Sequence, residues 1–489
     1  MLEIRGTKTI LFAMLLLVIG IFGVVWQGLF FVFFLVALFG LWWLSDHLEI
    51  GWYILVFLSP MIHWMLRGVD YWYLFRDYPF FLNIQAPLVE FWALYLLIAF
   101  VLFHIRQWGR GEKQTILLPG VFWFGLFMVS AFVSLVNVHP TELSARAWYA
   151  IRFMLFCYVA YIIPAANIVR SKKIFRYSLY ALAAGGLFAA GVGLASFFVG
   201  AWRDVYGVPR ATPFALFRGW APFGYQHIFL GETLSTTFPV FLYFWYTEKD
   251  AAKKWWGSAA AVVLLIGLST LSRAAWVTYL VDTIIALFLL RHVDRFQKIY
   301  RAVMTFILVS SPLIAYFLYF VFTNAIVTGS NAARFALTDI ALFFWKAHPL
   351  IGNGVGSFIP MLSEVLYFEI EFGEAIDAHG IIQKILAEQG LLGVIAFGMF
   401  LYWLFRRLHA RYRDTSFSQE ARWVGFFSLF LVLSPFIFQL FNTQYYSSKM
   451  WIPFAIAIAG SLVYKHEKTV RSVMQINFKE DQHPTVYDI

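Results

Sequence analysis

Apolar stretches of roughly 17 to 25 residues recur along the whole chain, and each is long enough to cross the hydrocarbon core of a bilayer. Only 13% of the 489 residues are charged and 61% are hydrophobic, whereas charged residues make up about 25% of an ordinary soluble domain. No soluble class of protein has this composition. The sequence therefore predicts an all-α, polytopic integral membrane protein.

Hydropathy and turn signals predict about fourteen transmembrane helices, or twelve if the two shortest turns do not separate spans. The predicted spans are 9–27, 29–45, 50–66, 87–105, 116–137, 147–167, 176–200, 226–247, 255–271, 274–290, 301–323, 389–405, 423–440 and 448–464. One set of connecting segments, which includes both termini, carries 25 of the 37 Lys and Arg. Positive charge accumulates in cytoplasmic loops, so both termini are expected in the cytoplasm. The net charge of +10 then reflects membrane topology and gives no reason to expect nucleic-acid binding.

This orientation puts four sizeable segments on the outer side: 67–86, 138–146, 201–225 and 324–388. The last is far longer than most loops of compact proteins. Apolar residues at helical spacing predict a helix that begins at Arg334 and ends before Pro349 and Gly352. A glycine-rich turn and an acidic, aromatic stretch follow. A long, structured outer loop usually carries function.

Ionisable side chains also stand at the mouth of the twelfth predicted span, in DAHGIIQKILAEQGLLG (377–393). Asp377 is a candidate N-cap for the helix that His379 opens, and Gln383 shares the face of His379. Glu388 is four residues from Lys384, which favours a surface ion pair over a catalytic role. His379 is either an interfacial ring in contact with water or a functional group, and the spacing leaves both open.

Two arginines give a stronger signal. Arg273 lies in a turn too short for a loop between two spans, and charge at membrane depth tends to mark function. Arg334, expected near a helix N-terminus, would oppose the helix macrodipole, so an anionic ligand explains it better than helix stability does.

Three further arginines flank the same outer region: Arg152, Arg210 and Arg218. Each either snorkels to the interface or contributes to an outer cavity that holds phosphate, for which the planar guanidinium is well suited.

Motifs typical of nucleotide-binding and metal-binding sites are absent from the sequence. The sequence has no P-loop and no GxGxxG, no His and Cys at zinc spacing and no Asp-rich pair at an outer helix end, so neither a cofactor nor a metal is expected. The sole cysteine, Cys157, is expected to be a small buried hydrophobe. Asp282 is the one acid at depth, and a partner on a neighbouring helix is favoured over proton coupling.

Three motifs in this order resemble the O-antigen ligase and O-antigen polymerase superfamily. They are STLSRAAWVTYLV (269–281), HPLIGNGVGSF (348–358) and AHGIIQKILAEQGLLGVIAF (378–397). The resemblance extends from about Arg210 to Val463, and the first 200 residues match only as a run of helices. Gly380 stands where the family often has asparagine after its histidine.

The resemblance implies transfer of a glycan from a polyprenyl (undecaprenyl) diphosphate carrier to a hydroxyl of a glycan or lipid acceptor. The reaction would occur at the outer face of the bacterial inner membrane, without metal or nucleotide, in lipopolysaccharide or polysaccharide biosynthesis. His379 would be the catalytic histidine, and Arg273 and Arg334 would hold the diphosphate. Arg152, Arg210, Arg218 and Gln383 are candidates for supporting roles.

The expected organisation has three parts: N-terminal transmembrane helices (1–200), a catalytic membrane region (201–464) that includes the outer loop 324–388, and a cytoplasmic tail (465–489). Ligase and polymerase differ in their acceptor, which no residue identifies. An anion or small-molecule transporter, with the same arginines along its path, is the alternative. Many transporters contain internal repeats, and this sequence shows none.

Overall fold

The structure is a computed structural model that describes residues 29–67, 85–112, 115–205, 208–216, 219–291, 294–323 and 325–464. Its helices before the long outer loop are α1 (Leu29–Asp46), α2 (Leu48–Leu58), α3 (Leu88–Gly109), α4 (Val121–Ser134), α5 (Leu143–Met154), α6 (Ile163–Ile168), α7 (Lys172–Phe198), α8 (His227–Thr247), α9 (Asp250–Ser269), α10 (Arg273–Leu290) and α11 (Asp294–Thr323). The remaining helices are α12 (Ala325–Ala347), α13 (Phe358–Ser363), α14 (Leu366–Phe372), α15 (Ile381–Arg413), α16 (Gln419–Gln439) and α17 (Ser448–Val463). A 3₁₀ turn (Leu135–Asn137) follows α4, and a π-helix (Leu155–Ile162) joins α5 to α6.

The predicted helical character is confirmed, with the addition of two small β-ribbons. In the first, β1 (Met65–Arg67) pairs antiparallel with β2 (Gln85–Pro87). In the second, β3 (Arg203–Val205) pairs antiparallel with β4 (Val208–Arg210). β1 begins within the predicted span 50–66 and β2 ends at the first residue of the predicted span 87–105, whereas the second ribbon lies in the connection between the predicted spans 176–200 and 226–247.

The predicted number of spans is not confirmed. Among the described residues, seven helices are long and apolar enough to cross a membrane, and the α1–α2 pair, bent by 107°, would be an eighth. The predicted spans 50–66 and 448–464 correspond to helices of only 11 and 16 residues, shorter than the ~20 residues that a bilayer requires. The predicted span 9–27 lies outside the described residues.

Serine side chains define the start of three long helices. Ser171, Ser272 and Ser418 are the N-caps of α7, α10 and α16, and each side chain accepts a hydrogen bond from a backbone N–H in the first turn. These bonds satisfy donors that a helix leaves unpaired at its N-terminus. Connections of only three, three and five residues precede these helices.

A 16-residue apolar helix, α17, forms the centre of the bundle. Every residue of α17 from Ser448 to Ser461 is buried, and the Trp451 ring contacts the Phe124, Phe153 and Phe400 rings. Lipid tails are as apolar as leucine, so helices in a membrane associate through close packing. Close packing on all sides therefore stabilises α17, although it is too short to be an ordinary span.

A buried ion pair ties α8 to α17. Lys449 Nζ lies 3.2 Å from Glu232 Oε2, with both side chains about 1% exposed, and Gln439 Nε2 donates to Glu232 Oε1 at 2.7 Å. Asp282 of α10 forms a hydrogen bond to a neighbouring helix: Ser434 of α16 donates to its Oδ2 at 2.6 Å. The predicted partner on a neighbouring helix is therefore Ser434.

The long outer loop has a small hydrophobic core of its own. Buried side chains from α12, α13 and α14 pack against two alanines that flank the start of α15: Leu337, Ala341, Phe344, Phe358, Leu362, Phe368, Ala378 and Ala387. The predicted structured loop is thus three helices packed over the entrance to α15. This packing holds His379, which follows Ala378, in a defined place.

A break at Gly390 divides α15. Gly390 has φ 64° and ψ −163°, a conformation that is essentially restricted to glycine. The HPLIGNG turn fits into this break, because Leu391 N donates to Pro349 O at 2.9 Å and Gly354 N donates to Glu388 O at 2.9 Å. Backbone groups of α15 that the break leaves without helical partners therefore form hydrogen bonds with the backbone of the glycine-rich turn.

We expect Gly390→Ala to lower the thermal stability of the protein. An added Cβ would lie 2.5 Å from the carbonyl carbon of Leu350, and the positive φ adds strain of about 1–3 kcal/mol. Gly398→Ala, in the same helix with no atom within 4 Å of the added Cβ, is the matched control and should leave the melting temperature unchanged or slightly raised. Equal melting temperatures for the two variants in thermal unfolding would contradict this account of the break.

Candidate active site

Arg273 is aimed at the outer loop by a rigid turn. Only three residues separate α9 from α10, and Leu271 among them adopts φ 52°. Arg273 is the first residue of α10, and its Nη1 donates to Asn331 Oδ1 at 2.6 Å. The predicted tight turn is present, and it fixes the guanidinium against α12.

Arg334 lies one helical turn beyond Asn331, so it is on the side of α12 that Arg273 of α10 contacts. The prediction that Arg334 begins a helix is wrong, because α12 begins at Ala325, and the macrodipole argument does not apply to a mid-helix position. The half-buried side chain has a buried Nε without a hydrogen-bond partner among the described residues. Burial and the adjacent Arg273 lower the pKa of Arg334. Two like charges held this close favour a bound anion.

His379 lies in the turn before α15, close enough to these arginines for their charges to act on its ring. Burial, followed by the positive charge of Arg334, lowers the pKa of His379 from 6.5 to about 4; Asp377 opposes the shift and Arg273 adds to it. The imidazole is therefore neutral at pH 7 and has a free ring nitrogen that can accept a proton.

A second histidine, His227, belongs to the same basic cluster. It is the first residue of α8, and its Nε2 lies 3.5 Å from Arg210 Nη1 at the end of β4. His227 lies within electrostatic range of Arg210, Arg203, Arg334 and Arg273. The ribbon is held close to the Arg273 turn, since Ala211 N donates to Ser269 O at 2.9 Å. The sequence analysis missed both residues: Arg203 lies between the predicted spans 176–200 and 226–247, and His227 is the second residue of the predicted span 226–247.

The remaining predicted side chains fall in different places. Arg152 forms an ion pair with Glu90 at 2.6 Å. Arg218 lies outside the described residues. Gln383 is half-buried in the first turn of α15, and a Cβ at position 380 would lie 1.8 Å from its Oε1. Gly380 therefore leaves room for the Gln383 amide beside His379.

A network of charged side chains, centred on the buried Lys384, stabilises the turn that carries His379. Lys384 Nζ lies 2.5 Å from Asp377 Oδ2 and 3.9 Å from Glu388 Oε1, and Glu388 Oε1 also accepts a hydrogen bond from Phe358 N at 3.1 Å. One lysine thus connects the His379 turn, the broken helix and the start of α13.

Two predictions about these residues are wrong. Asp377 is not the N-cap of α15, because Gly380 occupies that position and the carboxylate binds Lys384 instead. The Lys384–Glu388 pair is not a surface pair, since its side chains are 3% and 1% exposed. The i, i+4 spacing indicates the pairing but carries no information about the tyrosines, Tyr445 and Tyr446, that cover Lys384.

Metal ligands do not cluster in the part of the chain that the structure describes: no group of three or more His, Cys, Asp and Glu residues could hold an ion there. The positive charges of the site come from arginine side chains.

Comparison with known proteins bears on this site. Residues 258–398 match the family model described as O-antigen ligase. The predicted resemblance to the O-antigen ligase superfamily is confirmed. The O-antigen ligase match runs from within α9 to within α15 and contains Arg273, Arg334 and His379, and it is narrower than the predicted extent from Arg210 to Val463. No curated protein matches the chain.

The match of residues 258–398 to the O-antigen ligase family model and the apolar helices together indicate a bacterial membrane protein with a glycosyltransferase-like role in lipopolysaccharide biosynthesis. A donor glycan on a carrier and an acceptor within or at the membrane are the substrates that such a role requires.

Proposed function

We propose that this protein transfers a glycan from a polyprenyl diphosphate carrier to an acceptor hydroxyl at the outer face of the bacterial inner membrane. One observation carries the proposal: His379 lies within electrostatic range of Arg334 and Arg273, and all three residues belong to the segment that matches the O-antigen ligase family model. This combination provides a base and two cations at one place.

The reaction needs both groups. The acceptor oxygen attacks the anomeric carbon of the donor sugar, and the bond between that carbon and the diphosphate oxygen breaks. The proton of the acceptor hydroxyl passes to the free ring nitrogen of His379, and the carrier diphosphate leaves with the electron pair. Guanidinium groups in a water-poor site stabilise the developing negative charge more than water does, and Arg273 and Arg334 take this role.

The proposed topology follows from the charge distribution. The positive-inside rule places both termini in the cytoplasm and the cluster around His379 on the outer side. Residues 1–200 would form an N-terminal helical part, residues 201–464 the catalytic region and residues 465–489 a cytoplasmic tail that lies outside the described residues.

Purified protein and a polyprenyl diphosphate-linked glycan provide the direct test. Transfer to an added acceptor by detergent-solubilised protein supports an enzyme, since a transporter needs two compartments and leaves the carrier bond intact. Intact lipid-linked glycan after long incubation with every acceptor class would contradict the proposal. Extension of a glycan repeat indicates a polymerase, and attachment to a lipid core indicates a ligase.

The pH dependence of transfer should reflect the lowered pKa of His379. The neutral imidazole is the active form, so kcat/KM should be constant at neutral pH and fall as the pH drops through about 4, well below the ordinary histidine value of ~6.5. Bound diphosphate adds negative charge beside the ring, so the acid limb of kcat should lie higher than that of kcat/KM. Arg334→Gln removes a nearby cation and should move the kcat/KM limb upward. An acid limb at the same pH in wild type and Arg334→Gln would contradict this electrostatic coupling.

Transfer should not require a divalent metal ion. Arg273 and Arg334 supply the positive charge that Mg²⁺ supplies in many phosphate sites, and oxygen-rich ligand sets of the kind that bind Mg²⁺ are absent around His379 among the described residues. We expect equal initial rates with excess chelator and with added Mg²⁺. A rate that disappears with chelator and returns with Mg²⁺ would refute this prediction.

A further inference from the structure

A cavity of about 480 Å³ opens where four helices end. Its wall comes from the first turns of α7 and α16, the last turns of α8 and the residue that follows α17. None of the residues assigned to the His379 cluster lines this cavity.

The cavity and the His379 cluster lie at opposite ends of the bundle. The α7 helix begins in the cavity wall at Lys172, and near its other end Ser196 Oγ accepts a hydrogen bond from Thr212 N, two residues from Arg210. A 27-residue helix rises about 40 Å at 1.5 Å per residue, which is close to the full thickness of a bilayer with its headgroups. The cavity therefore lies at the membrane interface opposite the candidate active site.

Three cations line the cavity: Lys172, Lys173 and Arg176. Lys172 Nζ lies 3.0 Å from Glu420 Oε2, with side chains 46% and 51% exposed, and Arg176 pairs with Glu248. The exposed Lys172–Glu420 pair contributes little, because water screens it. The lining contains three positive groups and one negative group, Glu420, while Glu248 pairs with Arg176 from outside the lining. Net positive charge therefore remains, and Lys172 can exchange the exposed Glu420 carboxylate for a phosphate at small cost.

Aromatic side chains complete the wall. Tyr177, Tyr180 and Tyr243 line the cavity. Each combines an apolar ring with a polar hydroxyl, and such amphipathic side chains favour the headgroup region. The apolar space that shares Phe175 and Tyr243 with the cavity, between α7, α8 and α16, is only about 10 Å³ and cannot hold an aliphatic chain. A basic, tyrosine-lined cavity at the membrane interface matches an anionic lipid headgroup whose tails remain in the bilayer.

We propose that this cavity binds the phosphate headgroup of an anionic phospholipid from the leaflet opposite the candidate active site. Basic pockets between transmembrane helices recognise headgroups in this way. Lys172 and Lys173 would contact the phosphate, and the tyrosines would contact the glycerol region. The inference does not depend on the proposed function.

The test measures phosphatidylglycerol bound to the full-length protein. Protein is extracted from phosphatidylcholine nanodiscs with and without added phosphatidylglycerol, and retained lipid is measured by native mass spectrometry. We expect Lys172→Ala/Lys173→Ala to weaken retention by about tenfold or more, since each lysine near an anionic headgroup contributes substantially. The matched control, Lys253→Ala/Lys254→Ala, removes the same charge at the start of α9 on the same side of the bundle, outside the cavity, and should retain the lipid.

Each other outcome would overturn the proposal. Equal loss in the two double variants would indicate general surface attraction, and no loss in either would remove the cavity from lipid binding. Displacement of phosphatidylglycerol by inorganic phosphate alone would assign the site to free phosphate instead of a lipid. Thermal unfolding of all variants in phosphatidylcholine alone separates loss of binding from loss of folding.

Discussion

Replacement of His379 by alanine should reduce glycan transfer by roughly 10²–10⁴-fold, the usual cost of losing a general base. The protein should still insert and purify normally, because His379 is only half-buried and the hydrophobic contacts of its turn come from Ala378 and other apolar residues. The measurement is turnover of a lipid-linked glycan by purified wild-type and variant protein. Carrier binding should persist, since the arginines that would hold the diphosphate are unchanged.

His348 provides the matched control. It lies in the same outer loop, within the HPLIGNG turn, and its side chain is exposed. His348→Ala should keep near-wild-type turnover, because only the backbone of this residue takes part in the turn, where its carbonyl accepts a hydrogen bond from Gly352 N at 2.8 Å. Turnover by His379→Ala above about a tenth of the wild-type rate would remove this residue from the role of base and direct attention to His227.

The sequence predicts helix positions well and helix roles less well. Hydropathy places a span at 87–105 where α3 occupies Leu88–Gly109, because an apolar run shorter than its helix still marks the centre of that helix. Hydropathy cannot distinguish a span that faces lipid from a helix enclosed by other helices, so it predicts α17 as an ordinary span. It also misses the start of α12, because apolar and small residues before Arg334 continue the helix without a cap signal.

Residues of the candidate site can be predicted from the sequence where their type is unusual for their position. Charge at membrane depth is enough to single out Arg273, and the family motif is enough to single out His379. The sequence does not identify His227 and Lys384 in these roles, because each role depends on contacts between segments far apart in the chain. Lys384 is four residues from Glu388, yet its closest partner is Asp377 at 2.5 Å, and its burial depends on Tyr445 and Tyr446 of another segment.

Replacement of Arg273 by lysine should preserve folding and part of the carrier binding but remove most of the turnover. The short turn before α10 fixes the backbone, so the side chain has a small volume to fill. Arginine donates two parallel hydrogen bonds to a diphosphate and stays charged at any working pH, whereas lysine keeps a single charged group and loses the planar fork. Arg273→Ala should lose both binding and turnover, because part of the leaving-group charge would then be unpaired.

Two further variants separate a phosphate contact from a structural one. Arg273 also binds Asn331 at 2.6 Å, so a purely structural role would act by holding α12, and Asn331→Ala would then lower turnover as much as Arg273→Lys. If the guanidinium binds the diphosphate, Asn331→Ala should have the smaller effect, since charge and fork both remain. Arg291→Lys, at the opposite end of the same helix, should be neutral. Near-wild-type transfer by Arg273→Lys would show that Arg273 only reaches the interface and would leave Arg334 to bind the phosphate.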